Sequence, residues 1–115
     1  ILPITVGKID IDFETRKVKV CGKAIKLTDK EYALIELLIL KRGRFIDQDY
    51  IVDRIYNENE EPPEKVVNVF ICRLRKKMQD ASNGLNFIET VWGVGYRLIE
   101  NGLENSSRSS LYGQA

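Results

Sequence analysis

A chain of 115 residues with 43% hydrophobic side chains can close one compact core and is too short for two ordinary domains. It contains no histidine, and its two cysteines, Cys21 and Cys72, stand far apart with no CxxC spacing, which removes the usual zinc ligand sets and the commonest general base. Net charge is only +1 and no run of about eighteen apolar residues occurs, so neither a strongly basic protein nor a bilayer-spanning helix is in prospect. No serine or cysteine sits in a nucleophile-elbow context either. From these absences we expect no catalytic residues, no metal, no cofactor, no membrane partner and a cytoplasmic location. The opening Ile1-Leu2-Pro3 has neither an initiator methionine nor the build of a signal peptide, so an upstream domain is expected.

Apolar and polar residues alternate in Ile9-Asp10-Ile11-Asp12-Phe13, in Lys17-Val18-Lys19-Val20 and in Ala24-Ile25-Lys26-Leu27, the period-two pattern of strands buried on one face. Glu14-Thr15 and Cys21-Gly22 have hairpin length, which predicts a small antiparallel sheet. Thr28-Asp29-Lys30-Glu31 has the spacing of a capping box and starts a first helix. Residues 32–40 are apolar on most faces, as a central helix must be, and Gly43 after Lys41 and Arg42 stops it. Asp47 can cap a second helix that turns Ile51, Val52 and Ile55 inward and ends near Tyr56. After a polar loop, Pro62 and Pro63 suit the entry or first turn of a third helix, Glu64 favours its positive end, and Asn83-Gly84 stops it. Phe87-Ile88-Glu89-Thr90-Val91 and Tyr96-Arg97-Leu98-Ile99 read as strands joined across Trp92-Gly93-Val94-Gly95. From Asn101 onward there is no periodicity, so the domain is expected over residues 1–100 and a flexible tail over 101–115.

At about 100° per residue, Val67, Ile71, Leu74 and Met78 of the third helix share one stripe that must face the core. The opposite side carries Lys65, Val69, Cys72, Arg73 and Lys76, with Asn68, Arg75 and Lys77 toward its flanks and Phe70 at a half-buried edge. Glu58, Glu60, Glu61 and Glu64 form an acidic cluster ahead of this basic stretch. Cations on such a face can reach phosphates, Arg73 can reach the acceptor edge of guanine, and Val69 and Cys72 can press on thymine methyl groups, giving some A·T preference. A helix also carries outward cations merely to stay soluble. Two features weigh against that reading: the basic run lacks a compensating acid at helical spacing, and a glycine-rich hairpin bearing Thr90, Trp92, Val94 and Arg97 follows in the position of a wing. Trp92 can stack on a sugar or pack on the wing's own glycines. Cys72 is a small filling contact or, beside Arg73 and Arg75, a redox-sensitive thiol. The alternative function is a protein-interaction domain binding an acidic partner, which would use the same cations but favour aromatic anchors.

Three segments resemble one family. Leu27-Thr28-Asp29-Lys30-Glu31-Tyr32 is similar to the LTxxE helix opening of the OmpR/PhoB family of response regulators. Val67-Asn68-Val69-Phe70-Ile71-Cys72-Arg73-Leu74-Arg75-Lys76-Lys77 is similar to its recognition helix, VDVHIxRLRKK, and Thr90-Val91-Trp92-Gly93-Val94-Gly95-Tyr96-Arg97 to its wing, TVxGxGYR. The likeness runs from about Val6 through Leu98. Asn68 stands where the family usually has aspartate, and Phe70 where it usually has histidine. Phe70, Cys72 and Glu89-Thr90-Val91-Trp92-Gly93 look most like a cell-cycle branch of the family in alphaproteobacteria.

The resemblance implies an α+β winged helix-turn-helix: an N-terminal antiparallel sheet, three helices and a C-terminal hairpin wing. It implies binding to double-stranded promoter DNA, as a head-to-tail homodimer on direct repeats, by the effector half of a two-component transcription regulator. An N-terminal receiver domain, absent from this chain, would be phosphorylated through an upstream histidine kinase or phosphotransferase. By position, Asn57, Glu58, Asn59, Glu60 and Glu61 would form the loop that contacts RNA polymerase, or else a solvated acidic loop that keeps DNA off this edge. With Lys65, Arg73, Arg75, Lys76 and Arg97 as the main contacts, binding should weaken with salt at a log–log slope of about −4. Gln114-Ala115 is a partial likeness to a degradation signal at the end of that branch.

Overall fold

The alternating N-terminal segment folds as a four-stranded antiparallel meander, β1 (Ile4–Val6), β2 (Ile9–Asp12), β3 (Lys17–Val20) and β4 (Lys23–Ile25). The structure is a computed structural model and describes residues 3–104. Register sets Ile11 opposite Val18 and Ile9 opposite Val20, so these side chains share the buried face, while Asp10 faces Lys19 and Asp12 faces Lys17 on the other. β1 has no counterpart in the sequence pattern, because its first two residues are exposed and only Val6 is buried. It is held instead by its pairing with β2, to which Thr5 Oγ1 adds a 2.6 Å hydrogen bond to Asp10.

The first helix, α1 (Asp29–Leu40), opens on a complete capping box: the Glu31 N–H donates to Thr28 Oγ1, and the Thr28 N–H donates to the Glu31 carboxylate at 3.0 Å. Tyr32, Leu34, Ile35, Leu38 and Ile39 are buried, as a central helix requires. The second, α2 (Gln48–Ile55), is capped by Asp47, which accepts from the Tyr50 N–H at 2.8 Å, and buries Ile51 and Ile55.

The third helix, α3 (Val66–Ala81), starts after its prolines, which therefore stand at its entry and not in its first turn. A proline at 63 disfavours helical backbone at Pro62, and Lys65, at φ 60°, turns left-handed immediately before the helix, so residues 62–65 form that entry. Asn83 and Gly84, both at positive φ, carry the chain away from its far end. Val67, Ile71, Leu74 and Met78 are all buried, and so is Phe70, which joins the core cluster rather than resting at a half-buried edge.

The hairpin consists of β5 (Leu85–Val91) and β6 (Gly95–Glu104). β6 is longer than expected: Leu103 and Glu104 pair with Asn86 and Leu85 beyond a break in register, so residues 101–104 belong to the sheet and not to a tail. Residues 105–115, with Gln114-Ala115, lie outside the described residues. One apolar cluster joins the meander, the helices and Phe87 and Ile88 of the hairpin.

Inside this core α1 and α3 share a charge. Glu31, 1% exposed, receives a hydrogen bond from Lys77 Nζ at 2.5 Å. Burial alone would raise the Glu31 carboxyl, but the hydrogen bonds from Lys77 and the Thr28 amide outweigh it and hold the group below the usual glutamate range. A carboxyl depressed in this way stabilises the fold above its unfolded pKa, and that contribution is lost as pH falls through the folded value. Lys77→Met leaves the carboxylate buried without its cation, so Glu31 should then favour protonation. The gap in melting temperature between wild type and Lys77→Met should therefore be widest at neutral pH and close below the carboxylate range. A gap that does not change with pH would show that Lys77 acts through packing.

Candidate nucleic-acid interface

Burial of the Val67, Ile71, Leu74 and Met78 stripe fixes the rotation of α3, and with it what the helix offers to solvent. Lys65, Asn68, Val69, Cys72, Arg73 and Lys76 are all exposed on the outer side, with Val69 and Cys72 as small apolar groups between the cations. Lys76 pairs with Asp80 at 3.0 Å, one turn on, which corrects the expectation that the basic run lacks a compensating acid. Both side chains are about two-thirds exposed or more (72% and 66%), and such a pair contributes only a few tenths of a kcal/mol, so a phosphate can displace Asp80.

Two cations expected at the flanks turn inward instead. Arg75 faces β5, donating to Asn86 Oδ1 at 3.1 Å, to the Ile88 carbonyl at 2.7 Å and to Thr90 Oγ1 at 2.9 Å. It ties helix to hairpin because the flank of α3 on which it stands packs against that strand. Lys77 is taken by Glu31, a pairing that no local spacing announces because the two stand on different helices, 46 positions apart. On the wing, Arg97 is partly withdrawn as well: Glu89 accepts from it at 2.6 Å and its guanidinium lies 4.5 Å from the centre of the Phe45 ring.

The wing is seated by backbone. Ile46 and Tyr96 exchange two N–H···O bonds of 2.9 Å each, joining β6 to the segment that leads into α2. The buried Tyr96 ring then carries its hydroxyl to Asn68 Oδ1 on α3 at 2.5 Å. Burial raises the Tyr96 phenol above its usual value, and a hydrogen bond from the Gln48 side chain opposes the shift. The Tyr96 hydroxyl thus links α3 and the wing. The role of Gln48 had no sequence signal, and Tyr96 lay in view only as part of a motif. Asn68, noted as a departure from the family's aspartate, has its amide oriented by that contact. Asp47, Gln48 and Asn68 face Thr90, Trp92 and Val94 across a cleft of about 540 Å³. Trp92 is 96% exposed, so it does not pack on the wing's glycines.

The acidic loop is built around one of its own members. Lys30 donates to the Ile55 carbonyl at 2.8 Å and to Glu60 at 2.9 and 3.0 Å, and it lies 4.2 Å from the centre of the Tyr56 ring. The Asn57 N–H donates to Glu60 Oε1 at 3.0 Å and the Asn59 N–H to Asn57 Oδ1 at 3.0 Å. The Asn57 amide, then Lys30, holds the Glu60 carboxyl below its usual range. Glu58 and Glu61 face solvent. Among the described residues no group of His, Cys, Asp or Glu side chains could hold a metal ion, and no helix is long and apolar enough to cross a membrane.

The family model for "Transcriptional regulatory protein, C terminal" matches residues 22–98. The chain is 40% identical over 97 residues to the cell cycle response regulator CtrA of Brucella ovis, covering 84% of this chain and 42% of that protein. Among solved structures, the DNA-binding domain of RstA from Klebsiella pneumoniae in complex with the RstA box aligns with a TM-score of 0.68 at 26% identity, over 84% of this chain and 95% of that one. The response regulator DrrB, an OmpR/PhoB homologue from Thermotoga maritima, aligns with a TM-score of 0.71 at 28% identity, over 84% of this chain and 43% of that one. The chain therefore spans less than half the length of the CtrA relative. Sheet, helices and wing agree with the winged-helix domains of these regulators, and the chain belongs to the OmpR/PhoB-type family of transcriptional regulatory protein C-terminal domains.

Proposed function

We propose that this domain binds double-stranded promoter DNA sequence-specifically, docking α3 in the major groove. The observation that carries the reading is the outer face of α3, where Lys65, Arg73 and Lys76 stand exposed around Val69 and Cys72, beside a wing held in fixed relation to the helix through Tyr96 and Asn68. The RstA domain, similar along most of its length, is itself bound to its DNA box, which supports the same use here.

In the fuller reading the domain is the effector half of a two-component regulator with CtrA-like cell-cycle control. A receiver domain precedes it, fed by a histidine kinase or phosphotransferase, and two copies bind direct repeats head to tail in the cytoplasm, at the nucleoid. The loop over residues 57–61 meets RNA polymerase through Glu58 and Glu61, since Glu60 is engaged by Lys30. The likeness to CtrA supports these assignments.

Inward rotation of Arg75 and retention of Arg97 leave Lys65, Arg73 and Lys76 as the cations for phosphate or base contact. With Arg73 assigned to a base edge, Lys65 and Lys76 supply the phosphate contacts, and the salt slope per domain should be about −2 rather than −4, at about −0.9 per neutralised phosphate. The test is titration of the chain into a repeat selected from a random pool and into its scrambled counterpart, at low and physiological salt. The selected duplex should bind more than about tenfold tighter, with both affinities falling steeply in salt. Equal binding to both duplexes would remove sequence specificity, and a slope near zero would sink the helix-in-groove reading in favour of an acidic protein partner.

A further inference from the structure

Helix α1 has two apolar faces, and the core takes one of them. Tyr32, Leu34, Ile35, Leu38 and Ile39 are buried, while Ala33, Leu37 and Leu40, at i, i+4 and i+7, form a second stripe that keeps contact with solvent, Leu40 being 60% exposed. Tyr50, Arg54 and Ile55 of α2 face that stripe across a groove of about 330 Å³. A lone exposed leucine is ordinary on a protein surface, but this one continues a lined apolar groove. The groove is also charged on one side. Arg54 and Lys41 rest on the Tyr50 ring, 4.6 and 5.8 Å from its centre, and neither meets a carboxylate among the described residues. The acid that lines the groove, Glu36, is already engaged, accepting from the Tyr32 hydroxyl at 2.7 Å. Asp49 and Asp53 of α2 stand outside the lining. Past Lys41 the chain continues through the exposed Arg42 and Arg44, so this end of the groove is basic, although Arg42 spends a donor on the Ile39 carbonyl at the end of α1.

We infer that this groove docks an acidic amphipathic helix of a partner protein, which lays leucine-sized side chains over Leu37 and Leu40 and sets carboxylates against Lys41 and Arg54. Two features select that occupant. The walls of the groove are two helices, and a third helix fits between them by seating a ridge of its side chains there. The cations at the rim answer carboxylates, and with Glu36 bound to Tyr32 no acid in the lining is left to attract a basic partner. Covering Leu40 and the open part of Leu37 supplies the affinity, whereas pairing at an exposed rim supplies mainly discrimination. None of the lining residues belongs to α3 or to the hairpin, so the partner and DNA use separate faces and the inference stands apart from the DNA-binding reading.

The probe is a synthetic peptide of about 16 residues, long enough to hold helical structure in water, with leucines at i, i+4 and i+7, glutamates flanking them and alanine elsewhere. Its control carries lysine in place of every glutamate. Each peptide is titrated into the isotope-labelled full chain and the amide shifts are followed by NMR. The acidic peptide should shift the amides of Ala33, Leu37, Leu40, Tyr50 and Arg54 and bind about tenfold tighter than the lysine peptide. Leu40→Ala removes a side chain that lies mostly in water, so the melting temperature should hold while affinity for the acidic peptide falls about tenfold. Arg54→Glu should reverse the preference between the two peptides. Shifts confined to Lys65, Arg73 and Lys76 on α3 would show the acidic peptide imitating DNA and would overturn the inference. Equal affinity for the two peptides overturns the acidic chemistry, and no shift from either at millimolar concentration overturns the docking site itself. Groove shifts that grow with concentration of the chain alone, before any peptide is added, overturn the partner helix in favour of a second copy of this chain.

Discussion

Gly95→Ala should lower the melting temperature by roughly 12 °C, the largest effect expected of any single-atom addition in the wing. Gly95 sits at φ +141°, and a Cβ there would stand 2.3 Å from the Ile46 carbonyl oxygen and 2.7 Å from its carbon. Those atoms cannot yield cheaply, because Ile46 exchanges both backbone hydrogen bonds with Tyr96, the next residue of β6. Backbone strain and the displaced bridge together cost about 3 kcal/mol, and about 4 °C per kcal/mol converts this for a domain of this size. Gly93→Ala is the control, since it also has positive φ, at +77°, but meets nothing within 4 Å. It should lose markedly less in thermal unfolding followed by circular dichroism. Equal losses would assign the cost to backbone conformation alone and remove the Ile46 contact from the account. DNA binding should separate the two variants further, because moving Tyr96 withdraws the hydroxyl that orients Asn68.

What could be read from the sequence was local. The capping box at Thr28 and Glu31, the Asp47 cap and the buried stripe of α3 each depend on residues within a few positions of one another, and each forms as its spacing dictates. The same locality explains what was hidden. β1 and the last residues of β6 are held by backbone pairing while their side chains are mostly exposed, so no hydrophobic period announces them. The start of α3 depends on a left-handed Lys65, a conformation that no periodic signal encodes. On the candidate site, a helical wheel placed the outward cations but could not say which had partners elsewhere: Lys77 meets Glu31 across 46 positions, and Arg75 meets Asn86, Ile88 and Thr90 on the hairpin. Asp80 was different, since its distance of four from Lys76 was open to view. Trp92 was also ambiguous until the turn geometry put the indole in solvent.

That sorting makes Arg73 the arginine of α3 on which base recognition should rest. Arg75 spends its donors on the hairpin, whereas Arg73 is exposed on the outer face next to Cys72 and one turn from Val69. A guanidinium there can present two parallel donors to the O6 and N7 acceptors of guanine, which an ammonium cannot match. Arg73→Ala should cost about 1–3 kcal/mol on the selected site, a loss of roughly 5- to 150-fold, and far less on scrambled DNA. Arg73→Lys should retain the charge, and therefore the salt slope, yet still lose discrimination between the two duplexes. Lys76→Ala should weaken both duplexes alike and make the slope shallower by about one unit, as expected of a phosphate contact. Arg75→Ala supplies the contrast: it should lower thermal stability by releasing the hairpin, with any loss of binding spread evenly over both DNAs. Competitive binding of the four variants to the two duplexes across a salt series distinguishes these outcomes. If Arg73→Lys discriminates as well as wild type, Arg73 touches phosphate, and the bases must be read by other groups on the face, of which Asn68, already fixed by Tyr96, has the best-defined orientation.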